Sequence, residues 1–111
     1  MTAHRPDSSA QPIRSDFASD PEMSELVELF VSELPDRVKI ITDAWKQNQY
    51  EQLFRVTHQL KGASAGYGFA PVGTAAAAVE DRLRAMGPQP DLSSLRQQVD
   101  DLVAMCARVI R

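Results

Sequence analysis

The sequence predicts an all-α protein, an up-down antiparallel four-helix bundle with an additional N-terminal capping helix. Three observations carry this. The apolar residues recur at i, i+3, i+4 and i+7 in successive segments, with no sustained period-two alternation. Five of the seven prolines, namely Pro21, Pro35, Pro71, Pro88 and Pro90, fall between these segments and never inside one. The polar gaps between segments are short, which favours antiparallel neighbours.

Taken in order, Met1–Asp20 holds Pro6 and Pro12 among Ser, Asp, Ala, Gln and Arg, and lacks apolar periodicity. Residues 1–20 are therefore expected to form a disordered tail, and 21–111 the bundle. Asp20-Pro21 reads as an N-cap and an N1 proline, opening a first segment with Met23, Leu26, Val27, Phe30 and Leu34. After Pro35 a second carries Val38, Ile41, Ala44 and Trp45 and ends at Gln47-Asn48-Gln49. The third carries Leu53, Val56, Leu60, Ala63 and Tyr67, and the fourth Val72, Ala75, Ala76, Val79, Leu83 and Met86. Beyond Gly87-Pro88, Asp91-Leu92-Ser93 restarts a helix with Leu92, Leu95, Val99, Leu102, Cys106 and Val109 inward.

Composition excludes several functions. With 111 residues the chain is one domain, and a net charge of −3 gives no basic footprint for nucleic acid or an anionic membrane. A single cysteine, Cys106, allows neither an intrachain disulfide nor a zinc cage, which fits a reducing compartment. No apolar run approaches membrane-spanning length and the N-terminus has no signal-peptide core, so a cytoplasmic protein is expected.

The third segment holds the informative residue. On a helical wheel Leu53, Val56, Thr57, Leu60, Ala63, Ser64 and Tyr67 share one side, and His58 falls almost opposite. Its neighbours, all within about 60°, are Phe54, Lys61, Gly62 and Ala65. An exposed histidine is by itself most often merely solvated. Gly62 argues for more, because a mid-helix glycine costs about 1 kcal/mol relative to alanine. Gly66 and Gly68 are the more natural helix-end glycines. Either Gly62 is a packing or helix-end glycine, or a second molecule must approach the imidazole closely. Lys61, three residues on, could neutralise an anionic group carried by the ring.

The run His58-Gln59-Leu60-Lys61-Gly62-Ala63-Ser64-Ala65-Gly66-Tyr67-Gly68 resembles the H-x-L-K-G-[SA]-[SA]-x-x-x-G signature of histidine phosphotransfer (HPt) domains. Phe30–Arg37 (FVSELPDR) also resembles the family's run at the junction of its first two helices. Gly66, Tyr67 and Phe69 depart from the commoner residues at the hairpin end. The resemblance implies a phosphorelay intermediate that accepts a phosphoryl group on His58 and passes it to an aspartate of a response-regulator receiver domain. The donor would be a sensor histidine kinase or a hybrid-kinase receiver. The module would be a cytoplasmic, monomeric phosphocarrier without independent turnover. It needs no cofactor or metal, since the receiver brings its own metal ion.

A carboxylate on the fourth segment would orient the histidine. His58 and Glu80 are equidistant from Phe69, where the hairpin turns, so they should lie at similar height. In several family members a Glu or Gln there bonds the inner ring nitrogen; the alternative is that Glu80 only pairs with Arg84, its i+4 neighbour. The expected site is thus His58, Lys61 and Glu80, with Phe54, Gln59, Gly62 and Ala65 contacting the receiver and Phe69 at the edge of that face. A competing reading is a degenerate helical adaptor that docks partners without carrying phosphate. A hydrolase is weaker, because His4 sits in the tail and no Glu-x-x-His spacing occurs.

Overall fold

The computed structural model describes residues 11–86 and 90–111. Its elements are α1 (Ser24–Lys46), α2 (Tyr50–Gly66), α3 (Ala70–Ala85), a 3₁₀ turn (Leu92–Leu95) and α4 (Arg96–Ala107). Among the described residues there is no strand, only an isolated parallel bridge between Ile13 and Val109. Gly87 and Pro88, expected to break the chain before the last helix, lie outside the described residues.

The expected division at Pro35 is not observed: the first two segments are one helix, and Pro35 lies inside it. A separate capping helix is therefore absent among the described residues. The buried side chains of α1 are Val27, Phe30, Leu34, Ile41 and Ala44, and their spacing keeps one phase across the proline. A proline in a helix interior forfeits one backbone bond and costs about 3 kcal/mol. Burying a continuous stripe on both sides of it outweighs that loss, since each buried aliphatic contributes roughly 1.5–3 kcal/mol. Leu26, expected in the core, points outward and is 44% exposed.

Two left-handed residues end helices where the sequence indicated. After α1, Asn48 has φ 58°, and the Gln49 and Asn48 amides donate to the carbonyls of Ala44 and Trp45. After α2, Gly68 has φ 85°, and the Phe69 amide donates to Ser64 at 2.8 Å while that of Gly68 donates to Ala65 at 3.4 Å. Both are Schellman ends, which satisfy carbonyls the helix leaves free. They fold α2 back along α1 and α3 back along α2. The core gathers Phe30, Ile41, Leu53, Leu60, Val72, Val79, Leu83, Leu95 and Leu102 from all four helices and the 3₁₀ turn.

The proposed tail is also corrected, for residues 11–20. Ile13 is buried, and its amide donates to Arg108 O at 2.8 Å while its carbonyl accepts from the Ile110 amide at 2.9 Å. Ser15 is buried at the hairpin, where its hydroxyl donates to Tyr67 O and the Asp16 amide donates to Gly68 O. One apolar side chain flanked by correctly placed backbone partners docks this strap without any helical periodicity for a wheel to detect. Residues 1–10 lie outside the described residues.

Candidate functional site

The site is built across the α2–α3 hairpin. The two helices run close at Gly73, where a Cβ would make ordinary contacts, 3.5 Å from Lys61 O and 3.6 Å from Ser64 Cβ. At the far end of the hairpin the Tyr50 hydroxyl donates to Leu83 O at 2.9 Å, tying the start of α2 to the end of α3. Between these anchors His58 and Glu80 come level.

Glu80 is the centre of the arrangement. Its side chain is fully buried, whereas that of His58 is 57% exposed. His58 Nδ1 and Glu80 Oε2 are 2.6 Å apart. An ionised carboxylate only accepts hydrogen bonds, so Nδ1 carries a proton, and in the neutral ring the free lone pair is then on Nε2. Lys61 Nζ lies 2.6 Å from Oε1, and Arg84 Nη2 donates to Oε2 at 3.0 Å. The Lys61 ammonium holds the Glu80 carboxyl down from its ordinary 4.5 to about 2, against the opposing effect of burial and with help from His58 and Arg84. A buried carboxylate shared by three nitrogen groups stays ionised at neutral pH.

The rest of the rim is aromatic, cationic and small. The Phe54 ring runs nearly parallel to the imidazole, at 8° and 6.2 Å between centroids. Arg84 covers the Phe54 ring at 5.1 Å, so one guanidinium braces both the ring and the carboxylate. Gly62, one turn after His58, is exposed, and a Cβ there would meet nothing within 4 Å. Gln59 and Ala65 are exposed on the same helix.

Of the residues expected at the site, His58, Lys61 and Glu80 are brought together, and Phe54, Gln59, Gly62 and Ala65 lie on or beside the outward strip of α2. Phe69 does not belong there. It is fully buried and stacks on Phe30 at 5.2 Å and 19° between planes, because the residue after the left-handed Gly68 turns inward over the helix end. Lys61 also differs in detail: its ammonium pairs with Glu80 rather than standing free above the ring. Arg84, first weighed as an alternative partner of Glu80, bonds it together with His58. Tyr50 and Gly73 were missed. An aromatic at a helix start facing the partner helix's end could have indicated the first. Gly73 carried no signal beyond its glycine.

An Hpt domain family model matches residues 25–109. The chain therefore belongs to the Hpt domain family, the phosphocarrier modules of histidine phosphotransfer in two-component phosphorelays. No curated protein and no solved structure gives a significant match. Among the described residues, no helix is long and apolar enough to cross a membrane, and no group of three or more His, Cys, Asp or Glu is placed to hold a metal ion.

Proposed function

We propose that His58 carries the phosphoryl group and exchanges it with an aspartate of a receiver domain. The observation supporting this most directly is the contact between Nδ1 and the buried Glu80 carboxylate, which leaves Nε2 facing solvent with its lone pair. Nε2 attacks the phosphorus of an aspartyl phosphate, the N–P bond forms, and the P–O bond to the carboxylate breaks. No proton has to move. Nδ1 keeps its hydrogen, and the resulting phosphoimidazolium is stabilised by the Glu80 carboxylate. The reverse step expels a neutral imidazole, a far better leaving group than an imidazolate. One fixed proton thus serves both directions.

Lys61 and Arg84 hold the carboxylate in place and leave the surroundings of the incoming phosphoryl group net cationic. Phosphoryl transfer demands mainly positioning and charge neutralisation, and the receiver supplies the remainder of the site. Phe54, Gln59, Gly62 and Ala65 form the receiver's contact strip, in which glycine and alanine give the clearance that transfer requires. The donor is a sensor kinase or a hybrid-kinase receiver, and the module acts as a cytoplasmic monomer.

The test is phosphorylation by a small phosphodonor or a purified sensor kinase, followed by acid treatment. An acid-labile, base-stable label is expected in the native chain and none in His58→Gln. Equal labelling of the variant, or no label in the native chain, would refute the reading, and the latter would favour a docking adaptor.

A further inference from the structure

We propose that the outward face of α1 docks an amphipathic helix of a partner protein, one whose apolar stripe is interrupted by lysine or arginine. This inference goes beyond His58 and concerns a helix that contributes nothing to the phosphoacceptor's hydrogen bonds. Flanking the buried stripe of α1, about 100° round the helix from it, runs a second series, Leu26, Leu29, Glu33, Asp36, Ile40 and Asp43, spaced alternately by three and four residues. That is the spacing of a seam between two packed helices. The large apolar side chains of Leu26, Leu29 and Ile40 are 44%, 54% and 40% exposed on it. The only other comparably exposed large apolar side chain among the described residues is Phe17, on the N-terminal strap.

The intervening positions define the partner. Glu33, Asp36 and Asp43 interrupt the seam, and from Ser15 to Asp36 the chain has seven acidic residues and no lysine or arginine. Arg37 and Lys39 pair from the flanks with Glu33 at 3.5 Å and Asp43 at 2.7 Å, leaving both carboxylates about half exposed. Exposed i,i+4 pairs of this kind are weak and exchange readily for another cation. A second copy does not fit. In an antiparallel pair Glu33 would face Asp36, and in a parallel pair each acid would face itself. An anionic lipid surface would be repelled by the same carboxylates. The chain's own residues 1–10 contain no Leu, Ile, Val or Phe to fill an apolar stripe. A helix offering Leu or Ile opposite Leu26, Leu29 and Ile40, and Lys or Arg opposite the acids, satisfies both features.

The test is an amide NMR titration of the full-length chain with a synthetic helical peptide carrying that pattern, beside the same peptide with Glu in place of Lys. Chemical-shift changes are expected along 26–43 of α1, with affinity falling as salt rises. The Leu29→Ser, Ile40→Ser double variant, which touches no buried position, should melt like the native chain and bind at least ten-fold more weakly. No binding, equal binding of the Glu peptide, unchanged affinity of the variant, or shifts centred elsewhere would each overturn the proposal. So would a dimer, seen by sedimentation, that the double variant abolishes, because the seam would then be a self-interface.

Discussion

His58 and Glu80, 22 residues apart in sequence, meet with Nδ1 2.6 Å from Oε2, one ring mostly exposed and its partner carboxylate fully buried. This asymmetry separates two tasks. The outer ring nitrogen stays accessible to a partner, while the inner one is fixed from beneath by a group that no partner can reach. The first prediction concerns the tautomer. In the neutral ring, ¹⁵N shifts should report the proton on Nδ1. Glu80→Ala should yield a mixture favouring Nε2–H, the form preferred by a free imidazole. Transfer to a receiver should fall roughly 10- to 100-fold, on the scale of a misplaced reacting group. Glu80→Gln, whose amide oxygen still accepts from Nδ1–H, should retain more of the rate than Glu80→Ala.

A pH prediction follows from the same carboxylate. Its pKa in the folded protein is depressed from the ordinary 4.5 to about 2, chiefly by Lys61. Between those values the unfolded chain binds more protons at this position than the native chain does. The pair's contribution to stability is therefore complete above about pH 4.5 and lost as pH falls toward 2. Urea unfolding of the native chain and Glu80→Gln should show a stability gap that narrows as the pH falls through this window. A gap independent of pH from 7 to 2.5 would mean that Glu80 is not held ionised.

The strap offers a stability test away from the site. Ile13 is 9% exposed and its backbone bonds bridge to Arg108 and Ile110. Ile13→Ser should cost about 2 kcal/mol, the transfer free energy of a buried aliphatic side chain. Ser15→Ala removes a donor to Tyr67 O and an acceptor for the Phe17 amide, and should cost about 1 kcal/mol. Chemical denaturation reads both. Unchanged midpoints would show that residues 11–20 do not dock in solution.

These positions also show what a sequence can and cannot convey. The wheel of α2 separated Leu53, Val56, Thr57, Leu60 and Ser64 from His58 correctly, because an amphipathic helix writes its burial into its spacing. Symmetry about the hairpin paired His58 with Glu80, because two antiparallel helices share one rise per residue. Pro35 misled, since local propensity was weighed ahead of a stripe whose phase continued on both sides. The strap was invisible because its partners are backbone groups of Arg108, Tyr67 and Gly68, which leave no pattern in side chains. Phe69 was misplaced for a related reason: its direction depends on the left-handed turn at Gly68, not on the helix before it.

Pro35 itself can be tested. Replacing it with alanine restores one backbone donor in the middle of α1 and removes a residue disfavoured there by about 3 kcal/mol. Part of that gain is offset, by roughly 0.4–1 kcal/mol, because alanine frees the unfolded chain. Pro35→Ala should therefore raise stability by roughly 2–2.5 kcal/mol, read as a higher melting temperature with the helical circular dichroism preserved. A lower melting temperature would indicate that α1 depends on the proline's geometry.

Gly62 separates the chemistry of His58 from access to it. It lies one turn beyond His58 in α2, and a Cβ there would meet nothing within 4 Å, so the fold accepts a side chain at this position. Gly62→Gln should stabilise the helix by about 0.5 kcal/mol, since glycine is the poorer helix former. The new side chain would project beside the imidazole, into the space a receiver's active-site loop must enter to bring its aspartate within bonding distance. Displacement by about 1 Å can cost ~10²-fold in rate, so transfer to a receiver should slow by about that factor. A small phosphodonor needs no such clearance and should label the variant close to the native rate. This comparison distinguishes the causes of a slow variant. Loss of labelling by both donors would place the fault in the imidazole or its carboxylate, and loss with the receiver alone would place it in docking. Transfer at the native rate with both would mean that nothing approaches this side of His58, and that the receiver contacts the histidine from the Phe54 side instead.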